Sequence, residues 1–423
     1  MARFDCGTTG DAFQSLAGSV PRRIPSGIMQ IDRVEAIHLC YQYPDRRGFE
    51  SSGGITNGRL TSLIRVHTAC GRIGLGSVYS HPALVDVVIR QLDPLLRGRD
   101  PREVETLWQL MYGWTRWYGR KGAALSALGG VDIALWDLRG QAANQPVWKL
   151  LGGTSSSCPA YASGLLWNSL DGLRAEAQRH LARGFRRMKM RLGRNPDYDV
   201  DAPRAVKREI GPRHDLMCDA SMRYSLATAL RIGSELAQVG AFWFEEPFAP
   251  EDLELFAQLR GQVGVPVAAG ENEFGLQGFA ELIHRQAVDI VQADASRCGG
   301  ISEVLKVAEL ADRAALKLAP HSWSDAVAVV ANAHVVAATP HALTVEVDQT
   351  GNPLIDALLA EPLRIQEGRL HLGDKPGLGI ELNEAEVARH RLADATQIPD
   401  GWYSDMLFGV QVNNPAPPYA QLG

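Results

Sequence analysis

Residues Ala241 to Pro247 read AFWFEEP: four apolar or aromatic residues run straight into two adjacent carboxylates and a proline. A single strand surfacing into solvent gives the same pattern, because charges sit outside. Here the pattern recurs. VPVAAGEN carries an apolar run into Glu271, VDIVQAD into Asp294, LKLAPH into His321 and LTVEV into Glu346; upstream, HDLMCD ends on Asp219 and RRMKMR carries Lys189 and Arg191. Subtracting successive residue numbers from Lys189 through Asp219, Glu245, Glu271, Asp294, His321 and Glu346 gives steps of 30, 26, 26, 23, 27 and 25.

A unit of about 25 residues, made of a short apolar run, a polar junction and a longer helical stretch, fits successive strand–helix units of a parallel sheet. The linking stretches agree. In SLATALRIGSELAQVG, Leu226, Leu230 and Ala237 share a helical face and Gly240 supplies a stop. In ISEVLKVAELADRAALK, Ser302 is the expected N-cap, and Val304, Val307 and Ala311 repeat at helical spacing. About seven such units in a row close most simply into a barrel, whose strands converge at their carboxyl ends on one mouth. The seven polar residues are therefore expected in one pocket, with Glu245 at the rim of an active site. Glu246, its neighbour on the strand, is expected to point the other way as an outward-facing or supporting partner.

A chain of 423 residues has room for a barrel and a smaller domain. Net charge of −5 and a pI near 6.1 give no basic excess, so neither nucleic acid nor an anionic membrane is an expected partner. Cys6, Cys40, Cys70, Cys158, Cys218 and Cys298 are scattered without a CxxC pair, which makes a reducing cytoplasm the default expectation. No apolar run approaches transmembrane length, and the start lacks the continuous apolar core of a signal peptide.

Residues 1–28 are mixed and turn-rich and read as an extension. IDRVEAIHL, LTSLIRVHT and IGLGSVY then read as antiparallel strands between polar turns. Helical patterns follow to about residue 151, including LSALGGVDIALWDLRGQA with a stripe of Leu128, Val131, Leu135 and Leu138. Strands and then helices ahead of the repeating array predict a separate α+β domain. GRIGLG misplaces its glycines for a dinucleotide fingerprint and lies between two antiparallel runs, so it reads as a turn.

From about Met29 onward the chain resembles the enolase superfamily, specifically its mandelate racemase branch. The matching pieces are ALGGVDIALWDLRGQAANQPVWKLLGG at the end of the first domain, then KMR, CDAS, FEEP, GEN, ADASRCGGI, PHSW and VEVDQ on the second to eighth barrel strands. This resemblance implies an α/β fold: an N-terminal α+β capping domain at 29–152, a modified TIM barrel of the (β/α)7β type at 153–390, and a C-terminal segment at 391–423 completing the cap. It implies Asp219, Glu245 and Glu271 as ligands of Mg²⁺, and hard carboxylate oxygens suit that ion. Lys189 and Arg191 would offset the charge of an anionic small-molecule substrate, a carboxylate deprotonated at its α-carbon. The resemblance further implies a His321–Asp294 dyad, a Glu346 carboxylic acid that donates to the enediolate once a raised pKa keeps it protonated, and a homo-oligomer.

The departures shape the expected chemistry. Where the branch has a second lysine as base, this chain has Arg191, a poor proton acceptor and a good carboxylate clamp. Ser221 replaces an asparagine often found near the substrate, and Asp294 disfavours the branches with lysine on the sixth strand. A one-base path is then simplest: His321 removes the α-proton and helps a β-hydroxyl depart, which dehydrates a polyhydroxy acid to a 2-keto acid. Residues 41–59 and 77–82 are the candidate lid loops, with Arg46, Arg47, Tyr79 and His81 as candidate contacts to hydroxyls or a distal carboxylate. Two alternatives stand beside dehydration: racemisation, epimerisation or lactone cycloisomerisation with Lys189 as second base, and a non-catalytic metal-binding protein retaining the fold.

Overall fold

The computed structural model describes residues 29–52, 54–398 and 406–408. The extension at 1–28 and most of the C-terminal segment lie outside them.

Three antiparallel strands, Ile31–Gln42, Gly54–Thr68 and Ile73–Val78, form the cap sheet, with Ile37 opposite Leu63 and Ile64 opposite Gly76. Met406–Phe408 returns to pair with Thr56–Arg59. Helices Pro82–Leu96, Val104–Thr115 and Ala123–Ala143 follow. The last is buried all round from Ala124 to Leu138, so the expected single stripe understates it. It lies between the cap sheet and the barrel, and its adjacent glycines serve both contacts. A Cβ on Gly130 would meet Val78 at 2.3 Å, and one on Gly129 would meet the Gly300 backbone nitrogen at 2.7 Å. From the sheet side, Gly74 and Gly76 approach so closely that a Cβ would sit 2.2 Å from the Ala134 carbonyl and 2.0 Å from that of Gly130. GRIGLG thus turns at Gly71 and then gives two strand glycines that admit the helix backbone.

Eight parallel strands form the barrel: Ser157–Ser163, Arg187–Arg191, Asp215–Asp219, Trp243–Glu245, Val267–Ala269, Ile290–Val291, Lys317–Leu318 and Val345–Asp348. The first pairs with the second and the eighth, and a Leu318–Ala342 bridge closes the ring between the seventh and eighth. Helices separate successive strands; Ser225 caps Leu226–Val239, which ends at Gly240 with φ +72°. That helix buries Ala229, Ile232, Gly233 and Leu236, one position away from the expected Leu226, Leu230 and Ala237, which are only partly covered. A second correction concerns Ser302. The helix Ile301–Arg313 is capped by Gly300 at φ +95°, and Ser302 instead meets Asp132 of the long cap helix.

The cap is fastened to the barrel by buried carboxylates. Asp132 accepts from the Ser302 N–H at 2.9 Å and its hydroxyl at 2.6 Å; Asp137 accepts from Leu75 and Leu378 N–H at 2.9 and 2.8 Å. Asp325, the cap of the helix Ala326–Ala338, accepts from Thr61 and Ser77 hydroxyls of the cap sheet at 2.5 and 2.6 Å. Among the described residues no helix is long and apolar enough to cross a membrane.

Candidate active site

Inside the barrel Tyr161, Met217, Trp243, Ala268, Ile290 and Ala319 make a buried apolar floor. Side chains two apart on a strand share a face, so the layer above Met217 is Asp219 and the layer above Trp243 is Glu245. This is why AFWFEEP runs from aromatics into carboxylate: the strand rises from floor to chamber. Asp219 and Glu245 are cross-strand partners, and their carboxylate oxygens lie within 4.8 Å of each other and of Glu271 just past the fifth strand.

Two cations face the triad. Lys189 Nζ stands 2.5 Å from Glu245 Oε1 and 3.6 Å from Asp219 Oδ2. It also makes an ion contact at 2.9 Å with Glu346 Oε1, without hydrogen-bond alignment. Burial disfavours its charge, but Glu245 and Glu346 prevail and hold its pKa well above the ordinary lysine value. Arg191 pairs with Asp219 and reaches the Ser221 hydroxyl at 3.3 Å. Glu245 also accepts from the Trp243 indole at 2.7 Å, yet burial and the crowding of Asp219, Glu271 and Glu346 outweigh Lys189 and push its pKa up to about 8. The three carboxylates can be ionised together only if a further cation joins them. Three hard oxygens so placed, and no sulfur or imidazole in the cluster, fit a divalent metal ion.

Across the chamber, His321 Nδ1 is 2.9 Å from Asp294 Oδ2, which fixes Nδ1 as the protonated nitrogen and leaves Nε2 facing Glu271 at 3.8 Å and Glu346 at 3.9 Å. Burial lowers the imidazole pKa, but Glu271, Glu346 and Asp294 together raise it to about 9. Glu346 departs from expectation. Burial pushes its carboxyl up, but Lys189 and His321 outweigh that and pull it down to about 2. It also accepts from the Ser322 N–H at 3.0 Å. Its surroundings favour an anion, the opposite of a protonated donor.

The cap supplies part of the wall. Tyr79 stacks on His321 with centroids 5.6 Å apart and 27° between planes, and the Arg297 guanidinium lies over the Tyr79 ring, 4.5 Å from its centroid. Trp323 stands between Arg191 at 5.7 Å and the buried Arg59 at 4.8 Å, with Phe49 edge-on to it. Arg59 donates to Asp348 at 2.9 Å and to the Trp323 carbonyl at 2.5 Å, tying the second cap strand to the seventh and eighth barrel strands.

Several expected contacts fall elsewhere. His81 caps the helix Pro82–Leu96 by accepting from the Ala83 N–H at 3.3 Å. Arg46 is exposed in a short turn, and the lid is shorter than expected, because Tyr41–Gln42 and Gly54–Arg59 belong to strands. Arg47 lines a cleft of about 500 Å³ with Trp167, Asn168, Arg179, Arg183 and Thr350; no triad residue lines it. Ser221 lies beside the triad, where its N–H donates to Asp219 at 2.8 Å. Glu246 is buried rather than outward, held by Asn272 at 2.8 Å. Leu165, Ser221, Met222 and Glu246 all have φ between +37° and +61°, so left-handed strain of about 1–3 kcal/mol per residue clusters at the strand ends. Sequence reasoning missed Arg59, Trp323 and Asn332; the one usable signal for the last was an amide alone in AVAVVANAHVVAA.

A capped barrel of parallel strands with a carboxylate triad facing a histidine–aspartate pair defines an enolase-superfamily enzyme. The chain matches the enolase C-terminal domain-like model over residues 172–386 and the mandelate racemase/muconate lactonizing enzyme N-terminal domain over 39–152. It is 35% identical to the D-galactarolactone cycloisomerase of Agrobacterium fabrum, covering 82% of this chain and 95% of that one. Arabinonate dehydratase of Saccharolobus solfataricus is 32% identical, over 85% and 99%. The structure of L-talarate dehydratase from Polaromonas sp. JS666, complexed with Mg and L-glucarate, superposes with a TM-score of 0.77 at 29% identity, over 86% and 98%. The chain belongs to the mandelate racemase/muconate lactonizing enzyme family, and is an enzyme of lyase or isomerase type. The non-catalytic alternative is thereby set aside.

Proposed function

We propose that this chain uses Mg²⁺ to dehydrate an acid sugar, an aldonate or aldarate, to a 2-keto-3-deoxy acid. The observation that carries the reading is the asymmetry of the chamber. One side presents His321 with Asp294 behind it; the other presents Lys189, engaged by Glu245 and Glu346, and Arg191, which cannot accept a proton. Asp219, Glu245 and Glu271 would hold the ion, which when bound supplies Lewis-acid stabilisation of the negative charge that develops on the substrate carboxylate. Lys189 and Arg191 bind and orient that carboxylate. Glu271 is the largest influence raising the His321 pKa, so with that carboxylate engaged by the ion the imidazole would be neutral; its Nε2 then takes the α-proton, the electron pair passes into the enediolate, and the pair expels the β-hydroxyl, which leaves as water with the proton returned from His321. The enol so formed tautomerises to the 2-keto acid. The names of relatives support the substrate class: arabinonate, and L-talarate or galactarate, dehydratases.

A second reading has its own support in the 35% identity to a lactone cycloisomerase. It uses the same proton abstraction with a ring oxygen as leaving group. Incubation with Mg²⁺ in D₂O against aldonic acids, aldaric acids and their lactones, followed by NMR, tests both. Keto acid from one diastereomeric set, lost in His321→Asn, supports dehydration; ring opening of a lactone alone selects the second reading. Deuterium exchange with isomer formation and no keto acid overturns both and returns Lys189 to the role of second base.

A further inference from the structure

The helix Ala326–Ala338 reads AVAVVANAHVVAA and is almost entirely buried. Its two polar side chains are costly there unless each finds partners. His334 does so structurally, accepting from the Trp148 N–H at 2.9 Å and facing the Leu378 carbonyl at 3.1 Å. Asn332 is different. Its Nδ2 lies 2.9 Å from Asp294 Oδ1, 3.2 Å from the His321 carbonyl and 3.2 Å from the Ala328 carbonyl, and its Oδ1 accepts from the Ala295 N–H at 2.9 Å. One amide thus touches the side chain of one dyad residue, the backbone of the other, and the residue following the aspartate.

The consequence lies in what remains of Asp294. Its Oδ1 already accepts from the Ser296 N–H and hydroxyl, both at 2.8 Å, and Asn332 completes the set. With Oδ1 held by three donors the carboxylate cannot rotate, and Oδ2 stays aimed at His321 Nδ1. The sixth and seventh strands, whose ladder is only two residues long, are joined above it by the same amide. Resting on the reading of His321–Asp294 as the proton-transfer pair, we infer that Asn332 is a positioning residue for that dyad, holding it as one unit from the barrel helix while Tyr79 covers it from the cap.

Histidine-selective ¹⁵N labelling of the full chain gives a test that does not depend on turnover. In the wild type the His321 Nδ1–H, assigned by its absence in His321→Asn, is expected as a downfield, slowly exchanging resonance. Asn332→Ala is expected to broaden or shift it upfield, and to lower kcat about 10- to 100-fold with KM and metal affinity little changed. Asn332→Ser, which keeps one short donor, is expected to recover part of both, and serves in its place if the alanine variant does not fold. Ser296→Ala, which leaves the link to His321 intact, is expected to have the smaller effect. An unchanged Nδ1–H resonance in Asn332→Ala or Asn332→Ser would overturn the inference. If the resonance responds while no acid sugar is turned over by wild type, the positioning holds and the dehydratase reading fails.

Discussion

Two regions of this molecule bury carboxylates, and they do so in opposite ways. At the seam between cap and barrel, Asp132, Asp137 and Asp325 stand apart; Asp132 and Asp325 are met by N–H or hydroxyl groups from the other side, and Asp137 by one N–H from each side. In the chamber, Asp219, Glu245, Glu271 and Glu346 crowd one another and face two cations and an imidazole. A buried acid saturated by neutral donors fastens structure, whereas acids packed against acids leave charge for a ligand to neutralise.

The largest expected effect of breaking this contrast falls in the chamber. His321→Asn should reduce α-proton exchange by about 10²- to 10⁴-fold while the melting temperature changes little, as NMR exchange in D₂O and calorimetry would show. Glu245→Gln comes next. Replacing a carboxyl whose ionisation burial and crowding already disfavour should leave the metal-free melting temperature equal or higher, but abolish most of the thermal upshift on adding Mg²⁺. A retained upshift would take Glu245 out of the metal site.

At the seam the order reverses. Asp132→Ala should lower stability by about 1–3 kcal/mol in denaturant titration, because it orphans the buried Ser302 N–H, while the Mg²⁺ upshift persists. The smallest effect is one of pH. Burial raises Asp132 to about 7 and Asp137 to about 6, so between their unfolded values and these values the folded state holds more protons than the unfolded one. Their contribution is full below the ordinary carboxylate pKa and is lost as pH rises toward 7. His334, lowered by burial to about 4, acts the other way between about 4 and 6.5. The comparison is therefore wild type against Asp132→Asn: the variant's relative melting temperature should improve from pH 4.5 to 7.5, and a constant difference would argue against a raised Asp132.

How much of this was legible depends on range. Strand ends recur along the chain, so the period of apolar run and polar residue exposed the chamber layer from Lys189 to Glu346 without any knowledge of contacts. The helix stop at Gly240 was equally readable. Ser302 misled because a glycine at positive φ opened that helix and left the serine free for Asp132, 170 positions away. Asp325 with Thr61, and Arg59 with Asp348, join residues 264 and 289 positions apart, and no local spacing encodes them. The anionic surroundings of Glu346 were hidden for a related reason: Lys189, two strands round the barrel, is 157 positions away in the sequence.

Gly74 and Gly76 bring the cap sheet against the long helix at backbone distance. An alanine there would force the two apart at about 1–3 kcal/mol, so within the cap the packing of sheet on helix is set by main chain, while side chains fasten the cap to the barrel. The frame that carries the connection between the first two cap strands is thus built from residues outside that connection, which adds its own anchors in Tyr43 and Phe49. Exchanging residues 43–52 for the equivalent loop of another family member is expected to change which substrate is turned over while α-proton exchange by the barrel persists, which NMR in D₂O would show.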